Sequence, residues 1–367
     1  MKVAHILNEL RFSGAEVMLA AAAPHLLSTG QSMVIATSDQ LGDFAPTLEQ
    51  AGFQVAHMPY SRSPSYKASL GRFLKEEGVS LVHIHVERRA LFYSMMARRY
   101  GLASVRTIHN EFNFKGQVRL RRILTRHLAA KVGTAHVACS PSVQENEFKR
   151  YGLKTKLINN WMDPTRVPVP DEVANKLARS GLDLSQAVLA AVSLANDAPA
   201  KNLEALFLGV IEAVKRGVNM RLYHCGTIGL GLQRLAQSAP AGSIVVLGTV
   251  ADVRPYLSAC DVFLSTSFNE GGQISLLEAA AAGLTCITTK VGVAGAFDDQ
   301  LAVTFIEPNA QELANALVLT SKRDRTILRQ EGGLLATWAR KNFVPERGAR
   351  EYSDLYIRQV KKNSSQI

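Results

Sequence analysis

DVFLSTSFNEGGQISLLEAAAAG, residues Asp261–Gly283, decides the fold of this 367-residue chain. A strand-forming run, DVFLSTS, leads through two glycines into an alanine- and leucine-rich run of helical character. A buried strand that turns into a helix is the repeating unit of a parallel α/β sheet. Gly271 and Gly272 remove side chains at the turn, so the free N–H groups and positive dipole end of the helix can face an anion.

Outward from this stretch, strand and helix patterns alternate in two blocks. The first block predicts strands at Val3–Leu7, Ser32–Thr37, Gln54–Met58, Leu81–Val86, Ser104–Ile108 and Ala135–Cys139, and helices near 15–29, 66–77, 88–100 and 116–132. The second predicts strands at Ala187–Ser193, Met220–Cys225, Ser243–Leu247, Val262–Thr266, Thr285–Thr289 and Val303–Ile306, and helices near 203–216, 252–259, 274–282 and 310–321. Residues 159–184 carry three prolines without periodicity and are predicted to be a linker. The pattern predicts two doubly wound α/β domains, with a ligand cleft facing the carboxyl ends of both sheets.

Composition narrows the class of protein. Apolar residues make up 47% of the chain, which is typical of globular domains and excludes a disordered protein. The formal net charge of +11 favours anionic partners, whereas 7% aromatic residues without basic–aromatic interleaving argue against nucleic acid. The four cysteines form no CxxC pair, and no signal peptide or membrane-spanning run is visible. These features predict a cytoplasmic protein.

Two carboxylates and a lysine are the first candidates for chemistry. Glu270 and Glu278 lie eight positions apart, and eight helical steps span roughly 12 Å, so they are expected to grip different hydroxyl-bearing parts of one long ligand. Lys201, in the loop after the first strand of the second block, is placed to reach phosphates. Gly14, in RFSGAE after the first strand, opens another helix towards an anion. Neither block has a GxGxxG after its first strand, which argues against a dehydrogenase.

Several segments together resemble a known family. They are MKVAHILNELRFSGAE at the start, HIHVERR at His83–Arg89, RTIHNEF at Arg106–Phe112, KLINNWMD at Lys156–Asp163, LGTVADVRPYLSAC before the opening stretch, and NFVPERGAREYSDLY near the end. The chain resembles, end to end, the bacterial glycosyltransferases of family 4, and the stretch containing Glu270 and Glu278 is similar to their E-x7-E motif. The resemblance implies the GT-B fold: two facing Rossmann-like, doubly wound domains with an interdomain cleft. It assigns residues 1–164 and a crossing helix at about 346–367 to an acceptor-side domain, and 165–345 to a donor domain.

The resemblance also implies roles for the candidate residues. Glu270 would contact hydroxyls of the transferred sugar, Glu278 the ribose of the nucleotide, and His109 would lie beside the anomeric centre. Backbone N–H groups of Gly271–Ser275, with Lys201, would hold the diphosphate. The donor-binding residues so implied are Gly14, Lys201, Gly271, Gly272, Gln273, Ile274, Ser275 and Glu278, with His109 and Glu270 as the catalytic pair. The family generally retains anomeric configuration and needs no metal or cofactor.

Three departures from the family pattern stand out. Ser193 and Leu194 occupy the place of a GR-type pair, so one diphosphate contact is expected to be missing. EGGQ replaces the commoner EGFG, so that Gln273 is expected to line the sugar pocket. Trp161 replaces the small residue of an NGID-type segment.

A basic segment suggests a membrane partner. No acidic residue occurs from Phe112 through Gln144, and the same segment supplies six positive charges. These are Lys115, Arg119, Arg121, Arg122, Arg126 and Lys131, interleaved with an apolar face of Leu120, Ile123, Leu124 and Leu128. A basic amphipathic helix over 115–131 could contact an anionic membrane surface, or its apolar stripe could pack on its own sheet. Both interpretations stay open at this point.

The sequence therefore predicts a retaining glycosyltransferase in the cytoplasm, with a peripheral position on the inner face of the cell membrane as one interpretation. It would move a sugar from a UDP- or GDP-linked donor to a glycan acceptor, lipid-linked, in surface polysaccharide biosynthesis. An epimerase of the same fold and a non-catalytic glycan- or membrane-binding relative remain alternatives. His83 and His85 face one side of a strand without acidic or cysteine partners, so no metal site is predicted there, and His224 is predicted to be a core residue.

Overall fold

The computed structural model describes residues 1–182, 184–185, 188–297 and 300–365, without the side chains of 172–174 and 176. The strands are β1 Lys2–Leu7, β2 Gln31–Ala36, β3 Gln54–His57, β4 Val79–Ile84, β5 Ala103–Ile108, β6 Ala135–Ala138, β7 Lys156–Leu157, β8 Leu189–Leu194, β9 Met220–Cys225, β10 Ile244–Gly248, β11 Val262–Leu264, β12 Thr285–Thr288 and β13 Val303–Phe305. The α-helices are α1 Gly14–Ser28, α2 Ala45–Gln50, α3 Pro64–Glu76, α4 Ala90–Arg99, α5 Gly116–Lys131, α6 Pro141–Tyr151, α7 Glu172–Gly181, α8 Leu203–Lys215, α9 Leu230–Gln237, α10 Arg254–Ala259, α11 Ile274–Ala281, α12 Ala310–Ser321, α13 Arg325–Asn342 and α14 Pro345–Ser364. Within the described ranges, no helix combines the length and apolar character that crossing a bilayer requires.

The chain divides into two compact units. Unit 1 comprises Met1–Trp161 and Pro345–Ile367, and unit 2 comprises Met162–Val344. The sequence predicts the two boundaries after 164 and after 345. Helix α14, the last predicted element, belongs to unit 1 together with the first block.

Unit 1 is built on a parallel sheet of seven strands in the order β3-β2-β1-β4-β5-β6-β7. Every strand pair is parallel, and β1 lies between β2 and β4. The strands β1, β2, β4, β5 and β6 are buried nearly throughout because helices cover both faces, which explains their largely apolar sequences, whereas the edge strands β3 and β7 are more exposed. Trp161 is part of this core, and its indole N–H donates to the carbonyl of Met18 at 2.8 Å. Gly348 of α14 packs against its ring so closely that a Cβ at this position would lie 2.0 Å from a ring carbon. Gly348 is thus what lets α14 approach the tryptophan.

Unit 2 repeats the architecture with six parallel strands in the order β10-β9-β8-β11-β12-β13. Both sheets thus share the doubly wound order in which the chain winds outward from its first strand in one direction and then in the other. The prediction of two doubly wound α/β domains is confirmed. In unit 2 the direction reverses between β8 and β11, so the loops after these two strands flank a topological switch point.

The predicted linker is wrong over Glu172–Gly181, which forms α7. This helix was not predicted because it has few apolar positions and follows several prolines. Its Arg179 is buried and donates to four acceptors in unit 2. These are the carbonyls of Ala259, Ser185 and Val188, and the carboxylate of Asp261. The sequence pattern also fails to predict four other helices, α2, α6, α9 and α13. The predicted strand Ala187–Ser193 is β8, although residue 187 lies outside the described residues.

Helix α5 forms as predicted, but its faces are not arranged as the sequence suggests. Leu120 and Leu124 are 66% and 59% exposed, so the interpretation that the apolar stripe packs on its own sheet is wrong for these side chains. Arg126 instead is 1% exposed and donates two bonds to Glu147, at 2.7 and 2.9 Å. The helix turns this arginine inward because a buried carboxylate of α6 is there to pair with it. Arg126 therefore cannot contribute to a membrane contact.

Candidate functional site

The most specific stretch of the sequence lies at the switch point of unit 2. The loop after β8 carries Lys201, and the loop after β11 carries Glu270 before α11 begins at Ile274. The carboxyl ends of parallel strands meet at one edge of a sheet, and ligands of doubly wound folds bind there. The structure thus brings two of the sequence-predicted residues to the expected edge.

Lys201 and Glu270 form a close ion pair. The Lys201 ammonium lies 2.7 and 2.8 Å from the two carboxylate oxygens of Glu270. The Ser267 hydroxyl donates to one of those oxygens at 2.8 Å. Glu270 is 8% exposed, so its carboxylate is held in a largely dry environment by a cation and a hydroxyl. Both charged groups are thereby oriented at the sheet edge.

The loop that carries Lys201 is fixed by the next residue. Asn202 adopts a left-handed conformation, φ 51°, which asparagine tolerates better than most residues. Its side-chain amide donates to the carbonyls of Thr266 and Pro308 at 3.1 and 2.8 Å. The Thr266 hydroxyl donates back to the Asn202 carbonyl at 2.9 Å. These bonds clamp the loops after β8 and β11 together, so the position of Lys201 does not depend on its own contacts alone.

Gln273 caps the turn into α11 in an unusual way. The backbone of Gln273 is in the left-handed region, φ 42°, whereas the backbones of Gly271 and Gly272 are not. The conformation that favours glycine is therefore adopted here by a glutamine. Its side-chain amide nitrogen lies 3.2 Å from the hydroxyls of both Ser265 and Thr288. Gln273 is 5% exposed, and its amide oxygen is buried without a hydrogen-bond partner among the described residues. The side chain thus turns into unit 2 towards the strand ends, and its place in the lining of the sugar pocket stays a prediction.

Another glycine lets a third loop close on this turn. Gly292, in the loop after β12, is left-handed at φ 60°, and a Cβ there would lie 2.8 Å from the Cβ of Glu270 and 2.9 Å from the carbonyl oxygen of Gly271. The first residues of α11, Ile274 and Ser275, keep the unpaired backbone N–H groups that every helix start has. The turn therefore offers N–H donors beside the Lys201–Glu270 pair, as an anion site needs.

Glu278 is held separately from Glu270. It projects from α11, is 7% exposed, and lies 3.5 Å from the Arg166 guanidinium. Burial raises the pKa of Glu278 to about 7, although the charge of Arg166 acts in the opposite direction. The carboxylate is therefore poised near neutral pH. Glu270 and Glu278 thus each lie beside a different cation, which agrees with the expectation that the two carboxylates do not share a proton.

Arg166 is the residue that sequence reasoning missed. It ends a short 3₁₀ turn, Pro164–Arg166, whose start is capped by the Asp163 carboxylate accepting from the Thr165 N–H at 2.9 Å. The sequence signal was the Asp-Pro pair, which marks a capped turn, but the turn lay inside the predicted linker. Arg166 thus supplies unit 2 with a second cation, beside Glu278.

The serine of that missing pair has a different role. Ser193 is buried, and its hydroxyl lies 2.6 Å from His224 Nδ1. His224 is fully buried, and burial lowers its pKa to about 4. This confirms His224 as a core histidine. A small cavity of about 10 Å³ is lined by Ser193, Lys201 and Glu270.

His109 lies in unit 1, directly after β5. Its Nε2 lies 2.9 Å from Nδ1 of His85, and Nδ1 of His5 lies 3.1 Å from Nε2 of His85. Burial lowers the pKa of His109 to about 4, and the nearby Arg106 charge adds to that effect. The ring is therefore neutral at pH 7. His5, from β1, escapes sequence reasoning because its nearness to His85 depends on the pairing of β1 with β4.

The same cluster is where unit 1 could hold a metal ion. One ligand nitrogen from each of His5, His83 and His85 lies within 4.8 Å of the others. The nitrogens of His83, however, already bond two hydroxyls: Nε2 lies 2.7 Å from Thr107, and Nδ1 lies 2.6 Å from Tyr356. The absence of a metal stays a prediction.

Gly14 begins α1 and is exposed. Its φ is not in the left-handed region, so the turn does not depend on glycine there. The Ser13 hydroxyl donates to Glu16 within the first turn of the helix, and burial raises the pKa of Glu16. The loop keeps an open helix start, and its role in donor binding stays a prediction.

A larger cavity than the one beside Lys201 lies elsewhere in unit 2. It has a volume of about 440 Å³ and is lined by Cys260 and Asp261, which precede β11, and by Leu284, which precedes β12. This is the amino edge of the sheet, opposite the edge at which such folds bind ligands. Cavity volume alone therefore does not identify the functional site here, whereas position in the fold does.

Comparisons with known proteins follow the division of the chain. Residues 12–166 match the model of Glycosyltransferase Family 4, and residues 186–322 match that of Glycosyl transferases group 1. The chain is 25% identical over 250 residues to the putative glycosyltransferase EpsF of Bacillus subtilis (strain 168), covering 64% of each chain. It is 24% identical over 323 residues to one of the subunits of human phosphatidylinositol N-acetylglucosaminyltransferase, covering 80% of this chain and 62% of that protein. The chain thus spans slightly less than two thirds of the length of these two relatives.

Solved structures support the same fold. The crystal structure of HepE from Anabaena, in complex with UDP and glucose, has a TM-score of 0.77 at 18% identity and covers 97% of this chain and 99% of that one. The prediction of a GT-B fold is confirmed by such structural similarity.

Proposed function

Since the chain belongs to the glycosyltransferases that join a family 4 domain to a group 1 domain on a GT-B fold, we propose that it moves a sugar from a UDP- or GDP-linked donor to a glycan acceptor. The acceptor is lipid-linked, the product belongs to a surface polysaccharide or glycolipid, and the anomeric configuration is retained. HepE, which shares the fold, was solved with UDP and with UDP-glucose, so UDP-glucose is the first donor to test.

One observation carries the proposal: two buried carboxylates of unit 2 each face a separate cation, one of them at the switch-point edge. Lys201 contacts Glu270, and Arg166 lies 3.5 Å from Glu278. An acidic group accepts hydrogen bonds from a pair of neighbouring hydroxyls, and cations hold phosphates. A nucleotide-diphosphate sugar presents hydroxyls at both ends and phosphates between them, which suits this alternation of charges.

The Lys201–Glu270 pair defines what the donor must do on binding. The diphosphate attracts the Lys201 ammonium away from Glu270, and the freed carboxylate then accepts bonds from sugar hydroxyls. When the bond from sugar to phosphate breaks, negative charge grows on the leaving diphosphate. Lys201 and the N–H groups at the start of α11 stabilise that charge, and electrostatic stabilisation of this kind usually contributes more to catalysis than any other single effect.

The donor assignment is tested by a thermal-shift panel of UDP- and GDP-sugars. A bound ligand stabilises by RT ln(1 + [L]/Kd), so a donor present at 100 times its Kd adds about 2.7 kcal/mol. Glu278→Ala should abolish the shift, because the ribose loses its acceptor. Full nucleotide binding by Glu278→Ala in calorimetry would refute the ribose assignment.

Transfer is tested with the donor so identified. Radiolabelled sugar should pass to a lipid-linked acceptor fraction, with the configuration read by NMR of the new linkage. Conversion of the donor sugar without an acceptor would indicate the epimerase instead. Activity that is unchanged by EDTA is expected if no metal takes part.

A second part of the proposal concerns an anionic membrane surface. The exposed apolar side chains of α5 are Val118, Leu120, Leu124 and Leu128, and the exposed basic residues beside them are Lys115, Arg119, Arg121 and Lys131. Exposed leucines flanked by cations suit a bilayer interface, where each basic residue near anionic lipid contributes about 1 kcal/mol.

Co-sedimentation with vesicles containing anionic lipid tests this surface. Leu120→Gln with Leu124→Gln should reduce binding, and Arg121→Glu should reduce it further. Leu319→Gln is the matched control, because Leu319 is a similarly exposed leucine on α12 of unit 2. Equal binding by all variants would refute the membrane assignment while leaving the donor site untouched.

A further inference from the structure

Three histidines of unit 1, His5, His85 and His109, form a continuous row of contacting rings, called the histidine line below. His5 lies in β1, His85 follows β4, and His109 follows β5, and these three strands are neighbours in the sheet. The nitrogen–nitrogen distance is 3.1 Å between His5 Nδ1 and His85 Nε2, and 2.9 Å between His85 Nδ1 and His109 Nε2. The central ring, His85, thus uses a different nitrogen towards each neighbour.

The ring geometry shows hydrogen bonds rather than a chelate. The ring centres are 5.4 and 5.2 Å apart, which exceeds each nitrogen–nitrogen distance by the same 2.3 Å. That excess is twice the distance from the centre of an imidazole ring to its nitrogen, so each pair of nitrogens lies on the line joining the two centres. The ring planes are within 25° of each other. Lone pairs aimed at a shared metal ion would converge on a point off this line, so the facing nitrogens would not lie on the line between the ring centres.

The protonation state of the three rings determines how the hydrogen bonds along this line can be oriented. Burial holds the pKa of His5 at about 3 and that of His85 well below its usual value, so with His109 all three rings are neutral at pH 7. A neutral imidazole has one N–H donor and one acceptor nitrogen. Both hydrogen bonds must therefore run in the same direction, either from His5 towards His109 or from His109 towards His5.

The environment of His5, at the buried end of the line, determines the direction of the two hydrogen bonds. His5 is 1% exposed, and its Nε2 is buried without a hydrogen-bond partner in the described part of the chain. If the bonds ran towards His5, that atom would carry an N–H without an acceptor, and among backbone groups such orphaned donors are rarer than under-satisfied acceptors. The cavity of about 20 Å³ that His5 lines has chiefly apolar walls, which hold water poorly. The opposite direction leaves only a lone pair there. It gives His85 an N–H at Nδ1, donated to His109 Nε2, and leaves the proton of His109 on Nδ1.

We propose that His5 and His85 are positioning residues that hold His109 in the Nδ1–H tautomer, so that His109 presents a hydrogen-bond donor to its ligand. The described residues supply no partner for His109 Nδ1. The identity of that ligand, an oxygen of the activated sugar, rests on the proposed function. In this state His109 donates a hydrogen bond and does not accept a proton, because accepting one would leave the ring charged next to Arg106.

Long-range ¹H–¹⁵N correlation spectra of the ¹⁵N-histidine-labelled protein at pH 7.5 read the tautomer of each ring directly. His5, His85 and His109 should all show the Nδ1–H pattern, with assignment by single substitutions. An Nε2–H pattern at His109 in the unaltered protein overturns the proposal, whatever the variants do.

Two variants break the line at different points. His85→Leu removes the donor to His109, whose ring should then move towards Nε2–H, the tautomer that predominates for free histidine in water. His5→Ala opens a space for water, which donates and accepts equally well, so that His109 should show both patterns. Tyr356→Phe is the control, because its hydroxyl bonds His83 outside the line and the His109 tautomer should not change.

Kinetics separate this proposal from the function on which it rests. In a transfer assay His85→Leu should lower kcat roughly fivefold, the worth of one neutral hydrogen bond, with nucleotide Kd unchanged. If no donor supports transfer, the proposed function fails while the spectra still report the tautomer. If transfer proceeds and His109 is Nε2–H, the inference fails alone.

Discussion

Removing the charge of Glu278 should stabilise the protein above neutral pH. Its carboxyl is 7% exposed, and burial raises its pKa from 4.5 to about 7. A raised carboxyl pKa means that the folded state binds the proton more tightly than the unfolded state does. Stability contributed by the protonated group is therefore complete below about pH 4.5, declines as pH rises, and is lost above about pH 7.

The magnitude follows from the size of the shift. At 1.36 kcal/mol for each pKa unit, ionising Glu278 in the folded state costs about 3 kcal/mol at pH 8. Glu278→Gln keeps the shape and removes the charge, so it should gain most of this amount at pH 8. At pH 5, where wild-type Glu278 is protonated, the gain should fall below about 1 kcal/mol.

Urea unfolding monitored by Trp338 provides the assay. Trp338 packs against Phe297 and Phe343 in unit 2, and the chain has one other tryptophan, Trp161, so a Trp161→Phe background isolates the signal of unit 2. Glu307→Gln is the control, because it removes an exposed carboxylate and should change stability little at either pH. A Glu278→Gln gain that is equal at pH 5 and pH 8, or a loss at pH 8, would refute the reasoning.

Three further outcomes follow from the same structure. Nucleotide Kd should rise about tenfold for each pH unit below 7, because the ribose needs the ionised Glu278; a flat Kd between pH 5.5 and 8 in calorimetry would contradict this. Glu270→Ala should lower kcat far more than nucleotide affinity, since it removes a sugar contact and leaves the ribose contact intact; parallel losses in both constants would argue against that role. Arg126→Ala should destabilise by about 3–5 kcal/mol in urea unfolding because it strands the buried Glu147, whereas the exposed Arg121→Ala should change stability by less than about 0.5 kcal/mol.

The fold was largely predictable because buried parallel strands leave a strong local signal. Met220–Cys225 was predicted residue for residue as β9, a strand that is buried on both faces except at the partly exposed Arg221. Helix α6 was missed because PSVQENEFKRY has few apolar positions. The sequence signals of this helix lie at its two ends. The Ser140 hydroxyl accepts from the Val143 N–H at 3.3 Å, and Gly152 ends the helix in a left-handed conformation.

The candidate site was predictable only in part, because pairings between loops are not local. The strand–turn–helix context of Glu270 pointed to the sheet edge, but its ion pair with Lys201 joins residues 69 positions apart. Arg166 reaches Glu278 across an even longer stretch of chain. No spacing rule connects such residues, and the strand order of the sheet supplies the missing information.

Gln273 shows what a departure from a family pattern means physically. The resemblance leads one to expect glycine at this fourth position of EGFG, and the structure finds there a left-handed backbone, which glycine adopts without strain. The glutamine offsets that strain with bonds from its amide to the hydroxyls of Ser265 and Thr288. Gln273→Gly exchanges these bonds for a relaxed backbone, while Gln273→Ala loses the bonds and keeps the strain. Ala should therefore be the less stable of the two in urea unfolding, by about 1 kcal/mol, and an alanine variant as stable as the glycine variant would show that the left-handed backbone is not strained.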